Sequence, residues 1–217
     1  MGLRIGADVG GTFTDIVIEL ADGSYASTKV LTTYEAPELG ILDGISQIAT
    51  EAGVDLSDVE QIIHGTTLAT NALIQRSGAR TALVTTDGFR DVIETRTESR
   101  YEQYDLNIVL PKPPIQRADR YTVTERLNAR GEELVAFDET GACELVTRIA
   151  EAGYESVAVG FIHSYRNPVN EHRFRKLLLA ELPDIACSIS SEVSPQMREF
   201  ERFNTVCANA YVQPLMA

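Results

Sequence analysis

Cysteine is scarce in this sequence: Cys143, Cys187 and Cys207 are the only three in 217 residues. They are odd in number, far apart and without metal-type spacing. That excludes a disulfide framework or a zinc centre and leaves small apolar side chains in a reducing compartment. Clustered basic charge is missing too. Lys and Arg number 19 against 32 Asp and Glu, for a formal net charge of −13. Without a basic stripe, nucleic acid is a poor partner. An anionic ligand must then be met by backbone amides or a metal ion. No long apolar run is present either. The opening stretch is broken at once by Asp8, which argues against a signal peptide, and nothing approaches membrane-spanning length. A cytoplasmic protein with no membrane partner is the expectation. Internal repeats are lacking, and the only biased stretch is Pro111-Lys112-Pro113-Pro114.

What is present is a chain 44% hydrophobic, enough to build one large domain or two small ones around a substantial core. Leu3 to Val9, Thr12 to Leu20 and Ser24 to Leu31 read as three strands of an antiparallel meander, with turns at Gly10-Gly11 and Ala21-Asp22-Gly23. A helix follows from Pro37 to Gly53, with Leu39, Leu42, Ile45, Ile48 and Ala52 on one face. Val59 to Ile63 is a short strand leading into His64-Gly65-Thr66-Thr67. The next helix is capped by Thr66 or Thr67 and ends at Gly78. Thr81 to Thr85 is a buried strand.

From Glu94 to Arg120 regularity fades, and Arg96, Arg100, Tyr101 and Tyr104 mark a structured loop. Tyr121 to Leu127 and Glu132 to Ala136 read as a hairpin around Asn128-Ala129-Arg130-Gly131. Then helices (138–152, 169–182) alternate with strands (156–162, 185–189), a pattern of parallel pairing covered by helices. A helix from Glu199 to Tyr211 closes the pattern. After Pro214, the run Leu215-Met216-Ala217 has no cap or polar tail and reads as a cut rather than a natural end.

The most informative stretch is Asp8-Val9-Gly10-Gly11-Thr12-Phe13-Thr14-Asp15. It joins two strands, so it is not the strand-to-helix glycine loop of a Rossmann site, and it lacks the Gly-Lys-Ser/Thr of a Walker loop. Its chemistry still suits phosphate. Two glycines allow close backbone approach and positive φ. Successive amides at Gly10, Gly11 and Thr12 form an anion-binding concavity. Thr12 and Thr14 add hydroxyls. Asp8, at the strand's end, suits a hydrated Mg²⁺ facing the phosphates. The competing reading is a tight hairpin whose Asp and Thr merely cap the turn.

The octet resembles the first phosphate motif of actin-like ATPases, and as a whole it is similar to the opening signature of hydantoinase A/5-oxoprolinase proteins. Further blocks follow in the family's order: His64-Gly65-Thr66-Thr67-Leu68-Ala69-Thr70-Asn71-Ala72-Leu73, then Gly78 to Asp91, His163 to Pro168, Ser190 to Pro195, Glu199 to Arg202 and Asn209 to Val212. The resemblance covers essentially the whole chain. It implies an α/β fold with a mixed sheet, an N-terminal antiparallel meander and helices: half of an actin-like, ribonuclease H-like ATPase. It implies one nucleotide-binding region over 1–217, divisible into 1–93, 94–136 and 137–217.

At the second block a strand end meets a helix N-terminus, a place where α/β proteins bind anions. Gly65, Thr66, Thr67 and Thr70 could face a phosphate or a substrate carbonyl, with Asn71 in the same cleft. An N-capped helix with His64 bonded to a loop carbonyl is the competing reading. Asp8, His64, Thr67 and Asn71 are the candidate catalytic residues. Gly10, Gly11, Thr12, Thr14, Gly65 and Thr66 are the candidate nucleotide contacts, and Asp8 the metal ligand. His163, Tyr165, Arg166, Glu192, Glu199 and Arg202 form a second tier, against a purely structural reading of each. His172 reads as a surface residue.

The resemblance implies an ATP- and Mg²⁺-dependent hydrolase subunit. It would phosphorylate the carbonyl oxygen of a cyclic amide and be completed by a second, hydantoinase B-type subunit or domain. A carboxylase subunit of the same family, a small-molecule kinase of the same fold and a non-catalytic nucleotide-binding module remain open. Two departures from the family pattern, Ile93 to Tyr101 and Phe203-Asn204, bear on the substrate rather than the nucleotide.

Overall fold

Alternation builds the first sheet. In β1 (Leu3–Val9), Leu3, Ile5, Ala7 and Val9 are buried while Arg4 and Asp8 are exposed, the period of a strand with one covered face. The structure is a computed structural model that describes residues 3–33, 36–97, 102 and 104–216. Its two compact units are Met1–Gln75 and Arg76–Ala217. In the first unit, β2 (Phe13–Glu19) pairs antiparallel with β1, and β3 (Tyr25–Leu31) antiparallel with β2. Helix α1 (Pro37–Ala52) crosses back, and β4 (Val59–Thr66) joins β1 in parallel, giving the order β3-β2-β1-β4. The short α2 (Leu68–Gln75) ends the unit.

Ile45 and Ile48 of α1 pack on Ile5, Ala7, Ile16 and Ile18. Leu39 and Leu42, expected on that face, are instead 52% and 58% exposed. The 3.6-residue period puts Ile41, Ile45, Ile48 and Ala52 in one stripe and leaves those two leucines on its flank. Gly53 ends α1 as expected. At φ 67° it lets its own N–H reach Thr50 O and the Val54 N–H reach Ala49 O, a Schellman motif.

The second unit is a parallel sheet covered on both faces. Its strands are β5 (Thr81–Thr86), β6 (Arg120–Val123), β9 (Ser156–Gly160) and β10 (Ala186–Ile189), in the order β10-β9-β5-β6. All six residues of β5 and all five of β9 are buried, as a doubly covered strand requires. The four-residue α3 (Val92–Thr95) follows β5. A two-stranded ribbon, β7 (Arg126–Leu127) with β8 (Glu133–Val135), stands apart. Ala82, Val84, Val157 and Val159 face α4 (Glu139–Ala152) and α5 (Val169–Glu181). On the other face Leu83 and Ala158 meet Phe203, Val206 and Ala210 of α7 (Glu199–Val212), which follows the short α6 (Ser190–Val193).

Three boundaries differ from the sequence reading. β4 runs on through His64 and Gly65 to Thr66, because β1 offers a parallel partner up to Val9. α2 stops at Gln75, where Arg76 takes φ 58°, rather than at Gly78. Of the hairpin expected over 121–136, only β7 and β8 pair antiparallel, since β6 is drawn onto the edge of β5. Arg100 and Tyr101 of the expected loop lie outside the described residues. Among the described residues, no helix is long and apolar enough to cross a membrane.

Candidate functional site

The ladder of the first unit decides which motif residues meet. Asp8 stands opposite Asp15 on β2 and opposite Gly65 on β4, so all three share the face turned away from α1. The Asp8 side chain is exposed. A Cβ on Gly65 would lie 3.8 Å from Asp8 Oδ1, so the glycine keeps the ground beside the carboxylate open. Asp15 is occupied by Lys29, at 2.9 Å. His64 stands opposite Ala7 instead. Strand alternation therefore sends its side chain to the other face, away from Asp8.

The glycine turn is braced from within. The Gly10 N–H donates to Phe13 O at 3.0 Å, and a Cβ on Gly10 would come within 2.9 Å of that same oxygen. The Gly10 carbonyl accepts from Thr32 Oγ1 at 3.0 Å, and Thr32 Oγ1 lies 3.1 Å from Thr14 Oγ1. Thr14, expected among the phosphate donors, is fully buried, and its hydroxyl holds the turn from the core side. Thr12 is exposed. Gly11 lies against Asn71: a Cβ there would meet Asn71 Nδ2 at 2.9 Å. The turn thus rests on the first turn of α2.

That helix start is built by four hydrogen bonds of Thr66 and Thr67. Thr66 Oγ1 donates to Val9 O and accepts from the Leu68 N–H. The Thr67 N–H donates to Val9 O at 3.2 Å. Thr67 Oγ1 accepts from Asn71 Nδ2 at 3.2 Å. Thr67 and Thr70 stay exposed. Asp8, Gly11, Thr12, Thr67 and Asn71 therefore gather at one end of the sheet. Thr14 and Thr66 support them from behind, and His64 lies apart. Among the described residues, no group of three or more His, Cys, Asp or Glu could hold a metal ion. A single exposed carboxylate beside an amide- and hydroxyl-lined turn fits a hard cation such as Mg²⁺, which takes one or two carboxylates and fills its shell with phosphate and water oxygens.

A family model described as the hydantoinase/oxoprolinase N-terminal region matches residues 4–182. The chain belongs to the hydantoinase/oxoprolinase family. It is 33% identical over 219 residues to the caprolactamase subunit alpha of Pseudomonas jessenii, covering 98% of this chain and 32% of that one. It is 29% identical over 252 residues to 5-oxoprolinase of Saccharomyces cerevisiae, covering 99% and 20%. The solved structure of the ATP-dependent caprolactamase from Pseudomonas jessenii superposes with a TM-score of 0.85, at 33% identity over 98% of this chain and 32% of that one. The nucleotide-free structure of acetone carboxylase superposes at 0.87 with 24% identity, over 99% of this chain and 32% of that one, which establishes a shared fold. The chain spans about a third of the caprolactamase subunit and a fifth of the yeast 5-oxoprolinase.

In the second unit of this family member, most of the second-tier residues are engaged by structural partners, and Glu199 alone of them lines a cleft. Arg202 is wholly buried and donates to Phe161 O at 2.8 Å, Gln196 O at 3.0 Å and Ser190 Oγ at 3.0 Å. Ser190 Oγ donates at 2.6 Å to Glu171, a buried carboxylate that also accepts from the Phe161 and Ser191 N–H groups. Burial lowers the Arg202 pKa, and Glu199, at 3.5 Å, works against that. Tyr165 stacks over Arg202, with 5.3 Å from guanidinium carbon to ring centroid. Arg166 and Asn167 tie the loop to the ribbon turn, where Asn167 Nδ2 donates to Gly131 O. Glu192 is held by Arg175 through two bonds, which lowers its pKa, so it is no open ligand. His172 is exposed beside Arg175, as expected of a surface residue.

His163, at φ 59°, has a buried Nδ1 with no hydrogen-bond partner, 3.9 Å from Glu199. Sequence reading missed Glu125, which lies buried between the Thr86 hydroxyl and Asn170 Nδ2. Burial raises its pKa. No local pattern marks it, because its partners are 39 and 45 residues away. Burial pushes the Cys187 and Cys207 thiols up to about 12, leaving both inert.

Proposed function

We propose that the chain is the nucleotide-binding N-terminal part of an ATP-dependent enzyme that opens cyclic amides. The observation that carries this is the placement of Asp8: an exposed carboxylate at the end of β1, with open ground at Gly65 on one side and the Gly10–Thr12 turn against α2 on the other. Gly11, Thr12 and the Thr67–Asn71 turn would cradle the phosphates, while Asp8 would hold the Mg²⁺ that neutralises their charge. The γ-phosphoryl group passes to the amide carbonyl oxygen and ADP departs. Water then adds to the activated carbon, the C–N bond breaks and inorganic phosphate leaves. Positioning and charge neutralisation supply most of the catalysis in such a transfer. The caprolactamase relative supports a lactam substrate and a partner subunit, since it is named as one subunit of an ATP-dependent enzyme. The fold shared with acetone carboxylase supports a second reading, in which the phosphorylated carbonyl is carboxylated instead.

The test is calorimetric titration with Mg·ATP, alongside an Asp8→Ala variant, of the chain and of a longer polypeptide containing it. Asp8→Ala should abolish binding and cyclic-amide-dependent ADP release. Unchanged binding and release in the variant would sink the reading.

A further inference from the structure

The outer edge of β6 is open. In the order β10-β9-β5-β6 it is the last strand and pairs with β5 alone. Val123 O accepts from the Asp87 N–H, so the main-chain groups of Val123 and Tyr121 turn towards β5. Alternation then turns the Thr122 N–H outward, to a side where no strand receives it. A cavity of about 320 Å³ lies against this edge. Arg120 to Thr122 line it from the strand, Glu144 and Arg148 from α4, and Arg90 from the turn after β5.

Two of its three arginines lack a counter-charge. Arg120 belongs to Glu94, at 2.7 Å. Arg148 rests its guanidinium on the Tyr121 ring, 5.3 Å from the centroid, and among the described residues it pairs with no carboxylate. Glu144, one turn earlier on the same face of α4, is exposed and makes no ion pair among the described residues. Arg90 donates Nη2 to Arg117 O at 2.7 Å, while its Nε is buried with no hydrogen-bond partner. A buried donor without an acceptor is costly, and folds keep one where something else supplies the acceptor. Two uncompensated guanidinium groups at one small cavity stand out in a chain of net charge −13.

We propose that this cavity is a separate anion site, which takes a compact oxyanion of the phosphate type, free or as the head of a small phosphate monoester. Arg90 and Arg148 hold its oxygens with their forked donors, and the outward Thr122 N–H meets a further one. The lining is polar almost throughout, so the ligand is recognised by its charge and not by an apolar body. A bound anion ties α4 to the turn after β5 across the edge of β6 and thereby stabilises the second unit. The site shares no residue with the glycine turn at Asp8, and it stands whether or not that turn binds a nucleotide.

The probes are inorganic phosphate and glycerol 3-phosphate, titrated separately into the nitrogen-15-labelled chain in phosphate-free buffer and followed by NMR. The Thr122 amide and the Arg90 and Arg148 Nε–H resonances should shift saturably with phosphate, and the Tm should rise with its concentration. The Gly11 and Thr12 amides report separately on any binding at the glycine turn. Arg148→Gln should weaken phosphate binding about tenfold or more and cancel the phosphate-dependent rise in Tm. Glu144→Gln should tighten binding, because it removes a repelling carboxylate. Equal or tighter binding of glycerol 3-phosphate assigns the site to a monoester head, and a response to inorganic phosphate alone assigns it to the free ion. The proposal is overturned if the three reporter resonances do not shift saturably, if sodium chloride or acetate at matched ionic strength shifts them alike, or if Arg148→Gln binds phosphate unchanged.

Discussion

At the scale of the residue, burial decides which polar groups act and which hold. Glu125 shows this most sharply. It is buried against Thr86 and Asn170, and burial raises its pKa despite both hydrogen bonds. An acid whose folded pKa is raised binds its proton more tightly folded than unfolded. It therefore weakens the fold as pH rises above its unfolded value of about 4.3, and it imposes no such penalty below that. The neutral acid also has a use for its proton. Asn170 Oδ1 is buried with no partner, and a half-turn of that amide would present it to a protonated Glu125. Glu125→Gln should accordingly raise the Tm at pH 7 to 8, with the gain shrinking towards pH 4. Thermal melts across that range check it, and a gain that grows on acidification would refute the assignment. Arg202 is the opposite case. It stays charged and buried because three oxygen acceptors surround it and Glu171 is linked to it through Ser190. The same logic turned Thr14 from an expected phosphate ligand into a brace on Thr32.

At the scale of the element, the sequence was most legible where a period ran unbroken. The meander, α1 and its glycine stop, α4, α5 and α7 fall within a residue or two of their pattern, because amphipathic stripes and caps are local signals. What failed was anything set by a distant partner. The sequence pattern of β4 stops three residues short, because its last rungs exist only through Val9 and its neighbours. The sequence pattern places β6 in a hairpin, because nothing in Arg120–Val123 says that β5, more than thirty residues earlier, will accept it as an edge. The glycine turn beside Asp8 is legible from its octet. The facing of His64 was not, since it depends on the register of β1 with β4. Close approach between elements was equally hidden. Gly160, at the end of β9, lies under Phe203 of α7, where a Cβ would meet ring carbons at 2.6 and 2.7 Å. The ring is wholly buried and has no room to swing aside. Gly160→Ala should therefore push α7 off the sheet and cost about 1–3 kcal/mol. Urea unfolding measures this, and a variant as stable as the parent would mean that the helix yields freely.

At the scale of the whole molecule, the two units differ in how completely they close. Each core is assembled from residues of one unit. The cluster around Ile5, Ile16 and Ile48 uses none beyond Val59, and the two clusters on either face of the parallel sheet begin at Ala82 and Leu83. The second unit covers both faces of its sheet with helices and has 142 residues, Arg76 to Ala217, to do so. The first has 75, with α1 on one face only. On its other face Phe13, Val17 and Ile63 stay exposed, between 38% and 57%. A half-covered sheet of that size buries little apolar area, and an exposed apolar patch favours association. Residues 76–217 expressed alone should fold to a monomer with a cooperative thermal transition and a near-ultraviolet circular dichroism signal from packed Tyr154 and Tyr121. Residues 1–75 alone should melt lower, without a sharp transition, or self-associate on size-exclusion chromatography. If 76–217 proves molten, its core closure has been misjudged. If 1–75 is a stable monomer, the single layer of α1 suffices, and the proposed phosphate site at the glycine turn can be tested in isolation with Mg·ATP.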